Sequence, residues 1–192
     1  MSLVPDLIIK MKEDGVGLMS EGQYMSVAYV IELLSPCNFL IFGLGGDARL
    51  WAEVNKGGKT VFLEDDKEWI KKFDGQGYEI YPVTYTTRAE EHREINFDSE
   101  RLKMNLPEQI TDTKWDVIFV DGPLGHNPPR SYKGPGRMQS IYTAHSLLKE
   151  NGVCIIDDIG RLIEGTYARY FFKNTFNIIE DKVGIYKKGV VK

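Results

Sequence analysis

NFLIFGLGGD, residues 38–47, is the stretch on which the fold turns. Phe39 to Phe42 form an apolar run that stops at Gly43, with Gly45 and Gly46 close behind. A short apolar run closed by glycines reads as a buried strand, a tight turn and the start of a helix. Glycine accepts φ > 0 and, without a Cβ, lets another group approach the backbone closely. The helix beyond it offers unpaired N–H groups at its start. In an open α/β sheet this geometry cradles a nucleotide. The same glycines would also serve an ordinary strand-to-helix turn, so the motif needs a second signal.

That signal lies in Thr60-Val61-Phe62-Leu63-Glu64, a second strand with an acid at its C-terminal end. A carboxylate there can accept both hydroxyls of a ribose, at the spacing a dinucleotide fingerprint requires. The competing reading is that Glu64, Asp65 and Asp66 open the next helix, where acids suit the dipole. The distance from the glycine turn favours ribose binding for Glu64.

Outward from these two strands the chain reads as alternating elements. Residues 3–12 suggest a short helix. Ser20 with Gln23 three residues on is a capping-box start for a helix reaching Leu34, stopped by Ser35-Pro36. Helices are expected over 47–54 and 66–73 and a third strand over 78–83. Residues 88–113 read as a polar loop with one short strand, from the alternation of Leu102, Met104 and Leu106. Trp115 to Val120 is a fourth strand ending in Asp121-Gly122-Pro123. A Gly/Pro-rich loop, 124–137, precedes a helix over 138–150. Strand five covers 153–156 and ends in Asp157-Asp158, followed by a helix over 162–173. Strands 175–180 and 183–188 close the chain as a hairpin. Strands alternating with helices imply a mostly parallel sheet covered on both faces. The expected fold is therefore α/β, with the Rossmann-like sheet of a class I methyltransferase and a C-terminal antiparallel hairpin. One domain is expected over 1–192, with residues 1–35 as a helical cap and 36–192 as the core.

Composition bounds the partners. The 192 residues, 42% hydrophobic and 27% charged, suit an ordered domain. A net charge of −4 argues against a protein that wraps nucleic acid. Cys37 and Cys154 have neither disulfide nor zinc spacing, and read as buried free thiols of a reducing compartment. No stretch reads as a signal peptide or membrane span, so a cytoplasmic location is expected. Oligomeric state is not legible.

In such a sheet ligands sit beyond the C-terminal strand ends. Gly43, Gly45, Gly46, Glu64, Asp65, Tyr85 and Asp121 fall there and are assigned to a cofactor site. Asp121, Asp157 and Asp158 come from adjacent strand ends. Carboxylates that close need a proton, a cation or a base, and their oxygens suit a hard divalent ion. The alternative is that Asp121 touches cofactor, Asp158 caps the next helix and no metal binds. His126, in the long loop, can take a proton from a hydroxyl acceptor, or is ordinary polar surface. Arg130, Lys133 and Arg137 in that loop suggest an anionic substrate, or simply a solvated loop.

Two runs carry a family resemblance: SPCNFLIFGLGGDARLWAEVNKGGKTVFLEDDKEW, residues 35–69, and WDVIFVDGPLGHNPPRSYKGPGRMQSIYTA, residues 115–144. They resemble the polysaccharide-biosynthesis family of plant glucuronoxylan O-methyltransferases and their xylan-related relatives, over roughly residues 20–188. The resemblance implies S-adenosylmethionine as cofactor and methyl transfer to a sugar hydroxyl, typically O-4 of a glucuronic acid, with divalent metal assistance. It implies that Gly43 and Gly45 contact the amino-acid part of the cofactor and Glu64 its ribose. Asp121 would lie by the methyl group, and Pro135 to Arg137 would shape the acceptor site. The chain departs from the family where Asp157-Asp158-Ile159-Gly160-Arg161 replaces His-Asp-Val-Asp-Arg, so only Asp158 and Arg161 match. The loop 124–134 also differs, and no membrane anchor is read. Ile41 stands where a generic methyltransferase has an acid.

The expected activity is O-methylation of a uronic acid or related glycan, with Asp121, Asp158 and His126 catalytic and Arg130, Lys133, Arg137 and Arg161 at the acceptor. Asp121, Asp157 and Asp158 form the candidate metal set. The rivals are a non-catalytic polysaccharide-assembly protein with a degenerate cofactor site, and an NAD-dependent oxidoreductase, which Glu64 would suit equally.

Overall fold

The computed structural model describes residues 4–125, 134–173, 175–180 and 182–189. His126, Arg130 and Lys133 lie outside the described residues. The chain opens with two helices, α1 (Val4–Glu13) and α2 (Glu21–Leu34). Strand and helix then alternate through β1 (Asn38–Phe42), α3 (Ala48–Val54), β2 (Lys59–Glu64), α4 (Lys67–Phe73) and β3 (Glu79–Pro82). A 3-10 turn at Ala89–Glu91 and three short helices follow, α5 (His92–Ile95), α6 (Ser99–Leu102) and α7 (Glu108–Thr111). β4 (Trp115–Val120), α8 (Met138–Leu147), β5 (Leu148–Ile156), α9 (Leu162–Phe171), β6 (Thr175–Ile179) and β7 (Val183–Lys187) complete the order.

The strands form one 7-stranded sheet in the order β3-β2-β1-β4-β5-β7-β6. All pairings from β3 to β5 are parallel, and β7 runs antiparallel to both β5 and β6. The α/β class, the parallel sheet and the terminal hairpin thus match the sequence expectation.

Successive residues of β1 feed opposite cores. Phe39 and Ile41 pack with α1, α2 and α3, whereas Leu40 and Phe42 face the α8 and α9 side. Such two-sided burial is why a central parallel strand reads as a continuous apolar run rather than an alternating one. Chain order reverses at β1, where β2 leaves to one side and β4 to the other. A crevice opens beyond the strand ends at such a point.

Three expectations are corrected. Residues 88–113 hold short helices and, among the described residues, no strand. Ile95, Leu102 and Ile110 are each buried from a separate helical turn, and Asp98 caps α6 by accepting from Glu100 N at 2.9 Å. The alternation of Leu102, Met104 and Leu106 therefore reflects anchoring of a wrapped segment rather than a pleat. α8 stops at Leu147, because Leu148 already pairs with Trp115. Asn151 (φ 63°) and Gly152, expected to end that helix, lie within β5, whose pairing with β4 shifts register between Trp115 and Val117. β4 advances two residues there while β5 advances five, so three extra residues bulge from β5 and locally break the ladder.

The capping box at α2 is present. Ser20 Oγ accepts from Gln23 N at 3.1 Å, and Gln23 Oε1 accepts from Ser20 N at 2.9 Å. Ser20→Ala should cost about 1 kcal/mol, measured as a lowered urea midpoint with an unchanged m-value.

Candidate functional site

The site begins where β1 ends. Gly43 has φ 107°, and a Cβ there would lie 3.1 Å from Gly122 N. A Cβ on Gly122 would in turn lie 2.7 Å from Gly43 N. The ends of β1 and β4 abut backbone to backbone, an approach that requires glycine on both sides.

Glu64 ties this turn to β2. Its Oε2 accepts from Leu44 N at 2.6 Å, and its Oε1 from Asp65 N at 2.9 Å and Asp66 N at 2.8 Å. Burial raises the carboxyl above its ordinary range, while the N–H groups of Asp66, Leu44 and Asp65 favour the charged form. Asp66 goes on to cap α4, accepting from Glu68 N at 2.8 Å.

Beyond these ends lies a cavity of about 360 Å³. Of the residues assigned to a cofactor, Gly43, Gly45, Glu64, Asp65 and Asp121 line it. Gly46 does not, because it packs against Val16 and leaves no room for a Cβ. Tyr85 also stands outside the cavity wall. Its hydroxyl is 3.0 Å from Ser140 Oγ, which donates to Gly122 O at 2.8 Å, so Tyr85 supports the glycine contact from behind. Asp47, Trp51 and Trp69 are lining residues that sequence reasoning missed. Asp47 sat in the deciding stretch, but was read only as a helix start.

A second layer surrounds Arg137, which is 3% exposed. Its Nε donates to Pro123 O at 2.9 Å and its Nη1 to Asp157 O at 3.1 Å. Nη2 reaches Asp121 Oδ1 at 3.1 Å, and Nη1 lies 3.3 Å from Asp158 Oδ2. Arg137 was expected among the loop cations that meet an anionic substrate, but its fork is committed to its own chain. Asp158 was offered as a helix cap, yet it sits at φ 61° and pairs with Arg161 at 2.7 Å and Lys182 at 3.9 Å. Arg161 reaches the cavity rim, where its Nη1 donates to Leu124 O at 3.1 Å.

The structure does bring the candidate metal set together: one oxygen each from Asp121, Asp157 and Asp158 lie within 4.8 Å of one another. The Arg137 guanidinium, however, already pairs with two of the three, and supplies the counter-charge that the cluster needs. The donor chemistry suits a hard ion, but the arrangement fits a guanidinium better. Burial pushes the Asp121 carboxyl well up, Arg137 pulls it back, and Asp157 and Asp47 push it further. Asp157 is raised by burial and by Asp158, again opposed by Arg137. Glu164 on α9 is fully buried beside Arg137 and Arg161, and among the described residues neither of its oxygens has a hydrogen-bond partner.

A family model described as IRX15/IRX15L/GXM matches residues 23–185. The chain belongs to that family. Glucuronoxylan 4-O-methyltransferase 3 of Arabidopsis thaliana is 38% identical over 74% of this chain and 54% of its own. Arabinogalactan O-methyltransferase 2 of the same plant is 32% identical over 74% of this chain and 57% of its own. Protein IRREGULAR XYLEM 15, also from Arabidopsis thaliana, is 37% identical over 68% of this chain and 46% of its own. The chain thus spans about half the length of the curated relatives it matches.

Solved structures agree on the fold. The T. thermophilus 16S rRNA N2 G1207 methyltransferase RsmC, in complex with AdoMet and guanosine, superposes with a TM-score of 0.57 at 16% identity, over 91% of this chain and 46% of that one. A putative caffeoyl-CoA O-methyltransferase from Staphylococcus aureus gives 0.54 at 15% identity, over 98% and 93%. The fold is that of the class I S-adenosylmethionine-dependent methyltransferases. Among the described residues no helix is long and apolar enough to cross a membrane.

Two predictions follow from the charge network. Removing one partner of a buried ionic cluster strands the others, so Arg137→Met should cost about 3 kcal/mol or more, whereas Arg161→Met, whose side chain is partly exposed, should cost about 1 kcal/mol. Chemical denaturation of both variants checks this. Burial raises the Glu164 carboxyl above its ordinary range, with Arg137 and Arg161 opposing. Its protonated form therefore contributes stability below the ordinary carboxylate range, and that stability is lost as pH rises through the raised value. Glu164→Gln should match wild type at about pH 4 and melt higher than it at about pH 8. Parallel melting curves across that range would show that Glu164 does not titrate this way.

Proposed function

We propose that this chain is an S-adenosylmethionine-dependent O-methyltransferase acting on a sugar hydroxyl of a glucuronic acid or related glycan. The observation that carries the reading is an acid-lined cavity at the chain reversal of a methyltransferase sheet, in a family whose named relatives methylate glucuronoxylan and arabinogalactan. Its volume lies within the range of small-molecule sites. Gly43 lets the ends of β1 and β4 meet backbone to backbone, and the cavity beyond them is lined by that turn and by the acids Glu64 and Asp121, a donor set that fits the cofactor.

S-adenosylmethionine, when bound, supplies an electrophilic methyl group on a cationic sulfur. Glu64, still with an unused lone pair on Oε2 in this reading, accepts from a ribose hydroxyl while holding the turn closed through Leu44. Asp121, its side chain one-third exposed at the cavity wall, takes the proton that the acceptor hydroxyl loses as its oxygen replaces sulfur on the methyl carbon. A carboxyl raised above its ordinary range by burial is a better base for that transfer. Arg137 fixes Asp121, and much of the rate comes from such positioning. Arg161, at the rim, is the described cation placed to meet a uronate. Asp158 acts through Arg161 in this reading, rather than as a base. His126, Arg130 and Lys133 keep their expected roles as proposals only.

Two other readings have an observation each. The IRREGULAR XYLEM 15 relative, whose name states no methyltransferase activity, favours a non-catalytic assembly protein. The unpartnered Oδ1 of Asp157 favours a divalent ion at the three aspartates.

Calorimetric titration should give micromolar binding of S-adenosylmethionine and S-adenosylhomocysteine but none of NAD, and binding should persist after chelator treatment. Binding lost to chelator would restore the metal reading. With a uronic-acid glycan as acceptor, Asp121→Asn should lower turnover about 100-fold or more with cofactor affinity retained. Cofactor binding without turnover on any uronic-acid glycan would favour the assembly protein.

A further inference from the structure

The cavity is rich in carboxylates, and they differ in what holds their charge. Glu64 has three backbone N–H groups, and Asp121 has Arg137. Asp47 is 8% exposed and lines the same cavity; hydrogen bonds from Tyr24, Trp51 and its own backbone favour its charged form against burial, yet among the described residues it forms no ion pair. A carboxylate held that far from water without a cation is costly unless a ligand completes it.

Asp47 is also aimed. The Tyr24 hydroxyl donates to its Oδ2 at 3.1 Å. Tyr24 comes from α2 and is 1% exposed. Gly17 makes room for it, because a Cβ there would collide with the phenol. Burial and the neighbouring Asp47 push the Tyr24 hydroxyl up, so it stays a donor. The other oxygen, Oδ1, lies over Gly45 of the turn, 2.7 Å from where a Cβ would stand. α2 thus supplies the group that orients one acid of the cavity. Ile41, on the strand beneath, adds no charge.

We infer that Asp47, oriented by Tyr24, is the anionic anchor for the primary ammonium of the cofactor's amino-acid arm. This rests on the methyltransferase reading and deepens it. The cavity has the matching polarity. Glu64 stands at the end of β2, where the ribose is placed, whereas Asp47 acts electrostatically on Asp121 at the end of β4 and feels Asp157 at the end of β5. An adenosine held over β2 extends its amino-acid arm toward that side. The ammonium supplies the positive charge Asp47 lacks, and the carboxylate supplies the acceptor that an ammonium needs when it leaves water.

The test separates this from the parent reading. The full chain is titrated calorimetrically with S-adenosylhomocysteine and with its deamino analogue, which lacks only the amino group. Wild type should favour S-adenosylhomocysteine by about tenfold or more. Asp47→Asn should erase that preference, weakening S-adenosylhomocysteine about tenfold or more while leaving the analogue unchanged. Tyr24→Phe should move it in the same direction by a smaller factor, and a full preference in that variant would remove Tyr24 as the orienting group. Equal wild-type affinity for the two nucleosides would overturn the inference, as would an Asp47→Asn protein that keeps the preference. A variant that loses both ligands alike would assign Asp47 to building the turn and overturn it too. Wild type that binds neither nucleoside would refute the methyltransferase reading itself.

Discussion

Everything at the working end of this sheet depends on how its carboxylates are tolerated. Asp121, Asp157, Asp158 and Glu164 gather around one buried guanidinium, that of Arg137. Its hydrogen bonds hold the carbonyls of Pro123 and Asp157 as well as the acids, and so join the ends of β4 and β5 to the start of α8. The pairing is not a simple source of stability, because removing so many charges from water is expensive. What it provides is placement. With the fork fixed on every nitrogen, the Asp121 carboxyl has one position at the cavity wall.

The cavity is divided along the same lines. On the β2 side the acid is Glu64, quietened by backbone N–H groups. On the β4 side the acids are coupled to one another and raised by burial. Such a lining suits a ligand that is itself cationic and elongated, with a hydroxyl-bearing end toward Glu64. The reading of the site as a methyl donor's cavity rests on that complementarity together with the family. Arg161 stands at the rim of this cavity, where it holds the carbonyl of Leu124.

How far the sequence carried depends on the range of the interaction involved. The capping box at Ser20, the glycine turn after Phe42 and the acid at Glu64 were all legible, because each is a short-range pattern whose residues meet within one element or one turn. The wrapped segment 88–113 was not, because the burial of Ile95, Leu102 and Ile110 depends on distant strands. Arg137 was misplaced for a related reason. In sequence it belongs to a Gly/Pro-rich loop and looks like surface charge, whereas in the fold it lies under three strand-end acids.

The amino-acid order by itself determined the α/β class, the order of the strands outside 88–113, the closing hairpin and the glycine turn after Phe42, since apolar period, glycine and capping signals act locally. Tertiary structure alone decided which acids are compensated. That Asp47 meets Tyr24, and that Arg137 sits among the aspartates, follows from contacts between residues far apart in the chain. Electrostatic roles belong to neighbours in space, and those neighbours exist only once the sheet has brought its strand ends together.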